Sequence, residues 1–284
     1  MEAALKVVVT GGSGLLGVAV IRELVGAGAT VLSLDRKPHP DGHRPTWTCD
    51  LRDAAQLYQA CVGADSVVHL AAHIAPNLTS DTSTFNENVS MTYNVLKAAQ
   101  DNRVRRVVLA SSVAAYGYIY GPTDLLPHFL PLTEEHPLAA SDPYGLSKQI
   151  GELLGDAFAR RGAMSVVSLR LPGINYDPTF ERIQSFMSDP AYRKSGFWTY
   201  VDARDAARAF RLSVEKTLEG HRIYNIAAPS SNMREPTVDL VRRFLPGLSD
   251  IREISDKNWS GMSSARAASE LGFVAEHVWE QILR

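Results

Sequence analysis

Apolar and polar positions follow two alternating patterns along the first part of the chain. Short apolar runs, as expected of strands buried on both faces, are separated by longer segments with apolar residues at helical spacing. The runs predict strands at 5–9, 30–34, 46–49, 66–70, 106–110 and 165–169. The intervening segments predict helices at 15–25, 52–61, 85–102 and 144–161. This alternation predicts an α/β fold with a doubly wound parallel sheet.

The pattern becomes irregular after Arg170, where prolines and glycines interrupt it. Later helices are predicted at 203–216, 238–244 and 263–271, and a later strand at 222–226. Two of the later segments, 200–211 and 222–226, look like returns to the main sheet. We therefore predict a domain over 1–170 and a small, interleaved C-terminal lobe over 171–284, with returns to the main sheet near 197–228.

Composition and charge exclude several classes of partner. The 284 residues carry a formal net charge of −2, so no basic field indicates nucleic acid or an anionic membrane surface. No apolar run is long enough to span a membrane, and no signal peptide is recognisable. The only cysteines, Cys49 and Cys61, fit a reduced, cytoplasmic protein better than a disulfide scaffold. The histidines show no metal-ligand spacing, so no metal is expected.

A glycine-rich turn follows the first predicted strand and opens the first predicted helix. It reads Thr-Gly-Gly-Ser-Gly-Leu-Leu-Gly, with glycines at Gly11, Gly14 and Gly17. Such glycines allow the sharp bend, the approach of a pyrophosphate to the backbone and close packing of helix on strand. Free N–H groups at the helix N-terminus favour phosphate. The context favours a Rossmann-type dinucleotide site, including Ser13 and Leu15, over an ordinary glycine-rich turn.

Acidic residues end the second and third predicted strands. Asp35 lies where a carboxylate binds the adenosine ribose diol, and its charge would repel the 2′-phosphate of NADP. Arg36 follows it, and a guanidinium could instead bind that phosphate. Because Asp35 comes first, we predict NAD as the cofactor. Asp50 would either contact the adenine or cap the helix predicted to begin at Arg52, and the sequence leaves both roles open.

Tyr144 and Lys148 are four residues apart in a predicted helix, so they share one face. The unperturbed pKa of tyrosine is about 10. A nearby ammonium would lower that pKa, so that the phenol can exchange a proton with a substrate hydroxyl or carbonyl. Lys148 can also hydrogen-bond the nicotinamide ribose. Ser111 and Ser112 follow the fifth predicted strand, at the carboxyl edge where ligands of α/β sheets bind. Together these residues predict hydride transfer.

The chain resembles the extended short-chain dehydrogenases/reductases, the NAD-dependent epimerase/dehydratase group, from Lys6 to about Ala228. The segments that carry the resemblance are Thr10–Gly17, Asp50-Leu51, His69–Ala72, Asn88-Val89, Ala110–Ser112, Tyr116-Gly117, Tyr144–Lys148, Arg170, Asn175-Tyr176, Tyr200–Asp202 and Tyr224–Ala227. The resemblance implies that Tyr144 is the acid/base, that Lys148 is its partner and that Ser112 holds the substrate oxygen.

The resemblance also implies further cofactor contacts and an assembly. The cofactor contacts are Leu51, Leu70, Ala71, Ala72, Asn88, Ala110 and Pro172. Asn88 is similar to the family's active-site helix asparagine, although Met91 stands where a glycine is usual. The predicted helices 85–102 and 144–161 carry apolar residues on more than one face, and the resemblance implies that they pair two copies into a four-helix bundle. We therefore expect a homodimer.

The resemblance also limits the classes of substrate that we expect. Similar enzymes that act on nucleotide-sugars have a longer segment before the Val201-Asp202 strand, and an arginine in that segment binds the diphosphate. Gly196 occupies the position of that arginine in this chain. A buried diphosphate without cationic partners would be costly. The nearest pattern is that of the uronate dehydrogenases, which oxidise a hexuronate with NAD and bind its carboxylate through an arginine. Arg182 is the expected counterpart, with a solvated helix charge as the alternative, because Arg193 and Lys194 lie beside Ser195-Gly196 in an expected exposed turn. Val113 replaces an asparagine of those enzymes.

We predict an NAD-dependent oxidoreductase acting on a small hydroxyl- or carbonyl-bearing compound, a sugar or sugar acid. Its expected substrate contacts are His73, Ser111, Ser112, Tyr144, Gly173 and Arg182. One alternative is a sugar epimerase that keeps NAD bound. Another is a non-catalytic NAD(H)-sensing regulator, against which the presence of both Tyr144 and Lys148 argues.

Overall fold

The computed structural model describes residues 4–252 and 256–283, which are built around a seven-stranded parallel sheet in the order β3-β2-β1-β4-β5-β6-β9. The strands of this sheet are β1 Lys6–Thr10, β2 Thr30–Asp35, β3 Thr46–Thr48, β4 Ser66–His69, β5 Arg106–Ser112, β6 Ser165–Leu171 and β9 His221–Asn225. The helices are α1 Leu15–Gly26, α2 Ala54–Ala60, α3 Asp81–Asp101, α4 Pro143–Ala159, α5 Glu181–Phe186, α6 Ala203–Glu215, α7 Thr237–Phe244 and α8 Ala265–Leu271.

Two hydrophobic cores cover the two faces of the sheet. On one face, Val7 and Val9 of β1 pack with α1 and α6. On the other face, Val8 of β1 packs with α2, α3 and α4. Successive residues of one strand thus enter opposite cores, as the pleat requires. This arrangement confirms the predicted doubly wound parallel sheet. None of the helices in the described residues is both long and apolar enough to cross a membrane.

Polar caps define the first turns of two helices that begin at residues other than those predicted. α3 begins earlier, at Asp81, since Ser80 accepts a hydrogen bond from Ser83 N (3.1 Å). α2 begins later, after Asp53, whose side chain accepts from Ala55 N (3.0 Å). Such caps satisfy N–H groups that have no partner within the helix. The pattern of apolar residues alone does not predict these polar first turns.

The central strands extend further than the apolar runs indicate. β5 continues to Ser112 and β6 to Leu171, and these two residues pair in register. Parallel pairing satisfies the backbone of these residues whatever their side chains are. Ser111 and Ser112 therefore lie at the end of a strand, rather than in the loop after it.

The segments after β6 join the main sheet once. β9 adds to its edge beside β6, as predicted. The other expected return is wrong, because Val201–Asp202 (β8) pairs with Ile174–Asn175 (β7) in a separate two-stranded sheet. Further C-terminal residues, among them Trp198 and α7, enclose another apolar core. The division into a domain over 1–170 and a lobe over 171–284 stays a prediction.

A buried arginine at the start of β5 closes the C-terminal end of α6. Arg106 is 8% exposed. Its guanidinium donates to the carbonyl oxygens of Ser213 (2.9 Å), Leu218 (3.1 Å) and Lys216, and to Ser165 Oγ (3.0 Å). The last carbonyls of a helix lack intrahelical partners and carry partial negative charge. The cation thus satisfies acceptors that would otherwise be buried alone.

We predict that Arg106→Met lowers the free energy of unfolding by about 3 kcal/mol, because several buried carbonyls lose their donor. Urea unfolding followed by circular dichroism measures the change. Arg105→Met is the matched control, since the Arg105 side chain is 72% exposed and pairs with Asp65 at the surface (2.8 Å). Such a pair contributes about 1 kcal/mol or less. Equal destabilisation by both variants would contradict the role given to Arg106.

Candidate active site

A cavity of about 720 Å³ opens at the edge of the sheet where the strands end. The carboxyl ends of parallel strands share one edge, so residues distant in sequence meet there. Lining residues at or just after five of these strand ends are Gly11, Asp35, Leu70, Ser112 and Pro172. The cavity extends to the 3-10 helix Pro190–Gly196. Within residues 4–252 and 256–283, no cluster of three or more His, Cys, Asp or Glu side chains could hold a metal ion.

The glycine-rich turn lines one end of this cavity. Gly11 has φ +71°, and a Cβ there would lie 2.6 Å from Ala71 N. A Cβ at Gly17 would overlap the Gly11 carbonyl oxygen. α1 starts at Leu15 without a side-chain cap, so its first N–H groups remain available. Ser13, Gly14 and Leu15 also line the cavity. A turn of this shape fits a pyrophosphate, which needs close backbone approach and unpaired N–H groups.

Asp35 lies at the end of β2 and lines the same end of the cavity. One carboxylate oxygen accepts from Ser13 N (3.0 Å) and the other from Lys37 N (3.2 Å). A carboxylate has about four acceptor positions, so positions remain for a ribose diol. Arg36 and Lys37 lie beside it, exposed, and also line the cavity.

Asp50 lines the cavity and is held by an arginine. Its carboxylate accepts from Arg52 Nε (2.9 Å) and Arg52 N (3.0 Å), and these hydrogen bonds lower the pKa of Asp50. Arg52 also pairs with Glu87 of α3 (3.3 Å). Because Asp53 caps α2, the structure excludes the capping role that the sequence left open for Asp50. The adenine contact stays a prediction.

Tyr144, Lys148 and Ser112 meet at another part of the same cavity. Tyr144 lies in the first turn of α4, and Ser112 ends β5. A Cβ at Gly145 would lie 2.6 Å from a backbone carbonyl of the turn after β5, so the glycine allows the helix start to approach that turn. Lys148 Nζ donates to the Ala110 carbonyl (2.8 Å) and lies 5.5 Å from the centre of the Tyr144 ring.

Burial dominates the electrostatics of this group. Desolvation raises the pKa of Tyr144 to about 12, and a hydrogen bond with Ser112 acts in the opposite direction. Desolvation also lowers the pKa of Lys148 to about 8. Burial thus dominates, and the effect of Lys148 on the pKa of Tyr144 stays a prediction. Removing the phenolate or the ammonium from water is more unfavourable than their interactions with neighbouring groups are favourable.

Most of the remaining predicted contacts line the cavity. They are Leu51, Leu70, Ala71, Ala72, His73, Ala110, Ser111, Pro172 and Gly173. The His73 side chain is fixed at the rim by Glu87, at 2.8 Å. Their contacts with a cofactor or substrate stay predictions.

Two predicted ligands are engaged elsewhere. The Ser111 hydroxyl donates to Glu152 Oε1 (2.6 Å), so its proton is not directed to a substrate. Asn88 does not line the cavity. Its amide accepts from His73 N (2.8 Å) and donates to His73 O (3.0 Å) and Ser147 Oγ (3.1 Å). Both donor positions of Asn88 are thus used, and Asn88 holds the backbone after β4 instead of reaching a cofactor.

The predicted carboxylate ligand, Arg182, lies outside the cavity. It is exposed on α5, with its guanidinium 6.0 Å from the centre of the Phe186 ring. Arg193 lines the cavity instead, and its guanidinium lies 2.8 Å from the position that a Cβ of Gly173 would take. The sequence suggested an exposed turn for Arg193. The structure corrects this, because the 3-10 helix Pro190–Gly196 contributes to the cavity wall.

Arg193 is held in this position by buried neighbours. With its amide oriented so that both ends are satisfied, the fully buried Asn232 accepts from Arg193 Nε (3.3 Å) and donates to the Trp198 carbonyl (3.1 Å). Burial lowers the pKa of Arg193. No carboxylate of the part of the chain that the structure describes forms an ion pair with it. A partly buried cation facing a cavity is suited to an anionic ligand.

Three tyrosines at the cavity were not found by sequence reasoning. Tyr120, Tyr176 and Tyr192 line it and are 42%, 37% and 65% exposed. The Tyr120 ring packs edge-on against Tyr144, with centres 6.1 Å apart. Tyr120 and Tyr192 lie in irregular segments without a motif. Only Tyr176, which follows Asn175, belongs to a segment that the family resemblance marked.

We predict that Gly17→Ala weakens NAD binding at least about tenfold, a loss of about 1.4 kcal/mol. The added methyl would overlap the Gly11 carbonyl and displace the turn. Isothermal titration calorimetry measures the affinity. Gly26→Ala, in the same helix, is the control because a Cβ there meets no atom within 4 Å. Equal affinities for the two variants would separate the turn from NAD binding.

Comparisons with known proteins agree with this geometry. The model of a family described as the NAD dependent epimerase/dehydratase family matches residues 7–175. The L-arabinose 1-dehydrogenase (NAD(P)(+)) of Haloferax volcanii is 28% identical over 225 residues, which cover 75% of this chain and 84% of that protein. The uronate dehydrogenase of Pseudomonas putida is 28% identical over 174 residues, covering 58% of this chain and 60% of that protein.

Solved structures extend the similarity to almost the whole chain. A short-chain dehydrogenase/reductase superfamily protein of Agrobacterium tumefaciens with bound NAD has a TM-score of 0.75 and 27% sequence identity. The alignment covers 98% of this chain and 94% of that one. The predicted resemblance is therefore confirmed. The chain belongs to the NAD-dependent epimerase/dehydratase family and is an enzyme of the extended short-chain dehydrogenase/reductase type.

Proposed function

We propose that this enzyme oxidises a hydroxyl group of a small sugar acid with NAD. The observation that carries the proposal is that one cavity contains the glycine-rich turn, the group Ser112, Tyr144 and Lys148, and the guanidinium of Arg193. The turn fits a dinucleotide and the group fits proton exchange. Arg193 adds a positive charge that an acidic substrate can neutralise.

The residues of the chain divide the proton chemistry between them. NAD supplies the hydride acceptor when it is bound. Ser112 and Tyr144 hold the substrate hydroxyl, and the phenolate oxygen of Tyr144 takes its proton. Lys148 is the nearby cation that favours the phenolate, provided that it is itself protonated. Because burial raises the pKa of Tyr144 and lowers that of Lys148, both must be shifted toward their charged forms in the working complex.

Arg193 supports an acidic substrate over a neutral one. A carboxylate in a closed site is strongly disfavoured without a cation, and a guanidinium can bind it through two parallel hydrogen bonds. Arg193 contacts Gly173, which lies just beyond the end of β6, beside the strand that carries Ser112. A substrate whose carboxylate binds Arg193 would therefore lie in the same cavity as Ser112 and Tyr144. We assign to Arg193 the role that the sequence suggested for Arg182.

A sugar epimerase is the second candidate, because the matching family model describes epimerases as well as dehydratases. An epimerase would use the same Tyr144 and return the hydride to its substrate, so that external NAD is not consumed. Stoichiometric NADH formation separates the two activities.

We also propose NAD rather than NADP, a cytoplasmic location and a homodimer. The Asp35 carboxylate supports NAD, since its charge would repel a 2′-phosphate. Free, buried Cys49 and Cys61 are suited to a reducing compartment. Tyr93 and Leu153, which are 42% and 59% exposed on α3 and α4, provide apolar contacts for a second copy.

We predict that Tyr144→Phe lowers kcat about 10²–10⁴-fold, because the variant lacks the proton-transferring oxygen. Initial rates on a panel of aldoses, uronates and small ketones, read as NADH absorbance, test this and the proposed activity together. Tyr93→Phe removes the same hydroxyl from an exposed position and should keep the wild-type rate. An uronate that is epimerised without NADH release would favour the second candidate, and a fully active Tyr144→Phe would remove Tyr144 from the mechanism.

We predict that Arg193→Ala raises KM for an acidic sugar at least about tenfold, which corresponds to about 1.4 kcal/mol of lost binding. The effect on a neutral aldose should be small, because no carboxylate is lost. Arg182→Ala is the matched control: it removes the same charge from an exposed residue outside the cavity. Equal losses on acidic and neutral substrates would assign Arg193 a structural role and remove the support for a sugar acid.

A further inference from the structure

The guanidinium of Arg193 is held at the cavity wall by neutral groups. Its Nε donates to the side-chain oxygen of Asn232 (3.3 Å). Its central carbon lies 5.3 Å from the centre of the Phe186 ring. One terminal nitrogen, Nη2, lies 2.8 Å from the position that a Cβ of Gly173 would take. An amide, an aromatic ring and a glycine thus fix the guanidinium without neutralising its charge.

Asn232 holds both the Arg193 side chain and the backbone turn that presents it. Asn232 is fully buried in a loop after β9. Its amide nitrogen and its backbone N–H donate to the same carbonyl oxygen, that of Trp198, at 3.1 and 2.8 Å. With the amide reversed, its oxygen would face this carbonyl and its nitrogen would face the Arg193 donor, so neither end would be satisfied. Trp198 has φ +56°, and these hydrogen bonds stabilise that strained position directly after the segment that carries Arg193.

The hydrogen bond from Nε decides which edge of the guanidinium remains for a ligand. A guanidinium can bind a carboxylate with two parallel hydrogen bonds, either through Nε and one terminal nitrogen or through both terminal nitrogens. Because Asn232 uses Nε, the edge formed by Nη1 and Nη2 remains. Gly173, beside Nη2, lines the cavity together with Arg193. An anionic ligand would therefore meet the two terminal nitrogens of a cation whose charge Asn232 leaves uncompensated.

We propose that Asn232 is a positioning residue that gives this enzyme its preference for an acidic sugar over a neutral one. The proposal rests on the proposed function, because it assumes a substrate carboxylate bound by Arg193. Asn232 is buried and does not line the cavity, so it acts through Arg193. Its neutral amide accepts from Nε and donates to the Trp198 carbonyl without adding a negative charge. A carboxylate at this position would neutralise the guanidinium and repel the carboxylate of the substrate.

The test compares Asn232→Asp with wild type on two pairs of sugars, glucuronate with glucose and galacturonate with galactose. Each acid has a carboxylate where its neutral counterpart has a hydroxymethyl group. We expect KM for the acids to rise at least about tenfold, because like charges brought together at a binding site are strongly unfavourable. KM for the neutral sugars and kcat should hardly change, since Tyr144 and Ser112 are not altered.

Asn232→Leu is the second variant, because leucine is similar in size and removes the acceptor for Nε without adding a charge. KM for the acids should rise less than in Asn232→Asp. Hydrogen exchange of the Arg193 Nε–H, followed by nitrogen-15 NMR and assigned by its absence in Arg193→Ala, reports the position of the side chain without turnover. This exchange should be faster in Asn232→Leu and stay slow in Asn232→Asp, which keeps an acceptor.

Asn258→Asp is the matched control. The Asn258 amide also donates to backbone carbonyls, those of Met233 (2.8 Å) and Glu235 (3.2 Å), and Asn258 lies outside the cavity. This variant should leave KM for all four sugars and the Nε–H exchange unchanged.

Equal losses on acidic and neutral sugars in Asn232→Asp, or an unmoved Nε–H exchange in Asn232→Leu, would make Asn232 a structural residue and overturn the proposal. Calorimetric titration of the NAD complex with the same four sugars separates this failure from that of the proposed function. Selective loss of acid binding in Asn232→Asp, in a protein that oxidises none of the sugars, would support the role of Asn232 and reject the oxidation. Wild-type protein that binds neither acid better than its neutral counterpart would overturn both.

Discussion

The buried ion pair between Arg170 and Glu152 is the interaction on which the site depends. The two side chains are 3% and 5% exposed and form two hydrogen bonds, at 2.9 and 2.7 Å. Arg170 lies near the end of β6 and Glu152 in α4, and Glu152 also accepts from Ser111 of β5. Removing one partner of such a pair costs about 3–5 kcal/mol, because the other charge is left buried and alone. The pair therefore fixes the catalytic helix to the two strands that bound the cavity.

This attachment explains why the catalytic groups are mostly withdrawn from solvent. Held against β5, α4 presents Tyr144 buried and Lys148 half-buried at the cavity, and Lys148 can donate to the Ala110 carbonyl. Enclosure works against both charges, as the raised pKa of Tyr144 and the lowered pKa of Lys148 show. The same enclosure strengthens every attraction between them once a ligand completes the site.

The sequence predicted the parallel sheet, the alternation of strands and helices along the chain, and most of the residues that line one side of the cavity. Those features follow from local rules: apolar runs, glycine spacing and the shared edge of parallel strands. It did not predict Arg193 as a cavity residue, because the position of that side chain depends on the 3-10 helix Pro190–Gly196, which is followed by Phe197 and Trp198, both with positive φ. Bulky residues rarely adopt this conformation, so a local pattern gives no reason to expect the chain to turn there.

Two of the predicted ligands form hydrogen bonds within the protein, and their contacts with a cofactor or substrate stay predictions. Asn88 and Ser111 have the chemistry of ligands, but in the fold their hydrogen-bonding groups are engaged by His73 and Glu152. A motif identifies residues that the fold needs. It does not distinguish a residue that contacts a ligand from a residue that only holds the ligand-contacting backbone in place. Separating the two requires the partner of each donor and acceptor, which only tertiary structure provides.

The positions of Arg193 and Asn232 indicate how an enzyme of this fold can change its substrate and keep the same proton transfer. Tyr144 and Ser112 are fixed by the sheet and by the helix packed on it. Arg193 lies in the 3-10 helix Pro190–Gly196 and its neighbour Asn232 lies in a loop after β9, and both are outside the main sheet. Substitutions there can exchange the charge offered to a substrate and leave the proton-transfer group in place, because the two sets share a cavity but few supporting contacts. Under the proposed function, the choice of substrate depends on the segments after β6, and the proton transfer depends on residues at the strand ends.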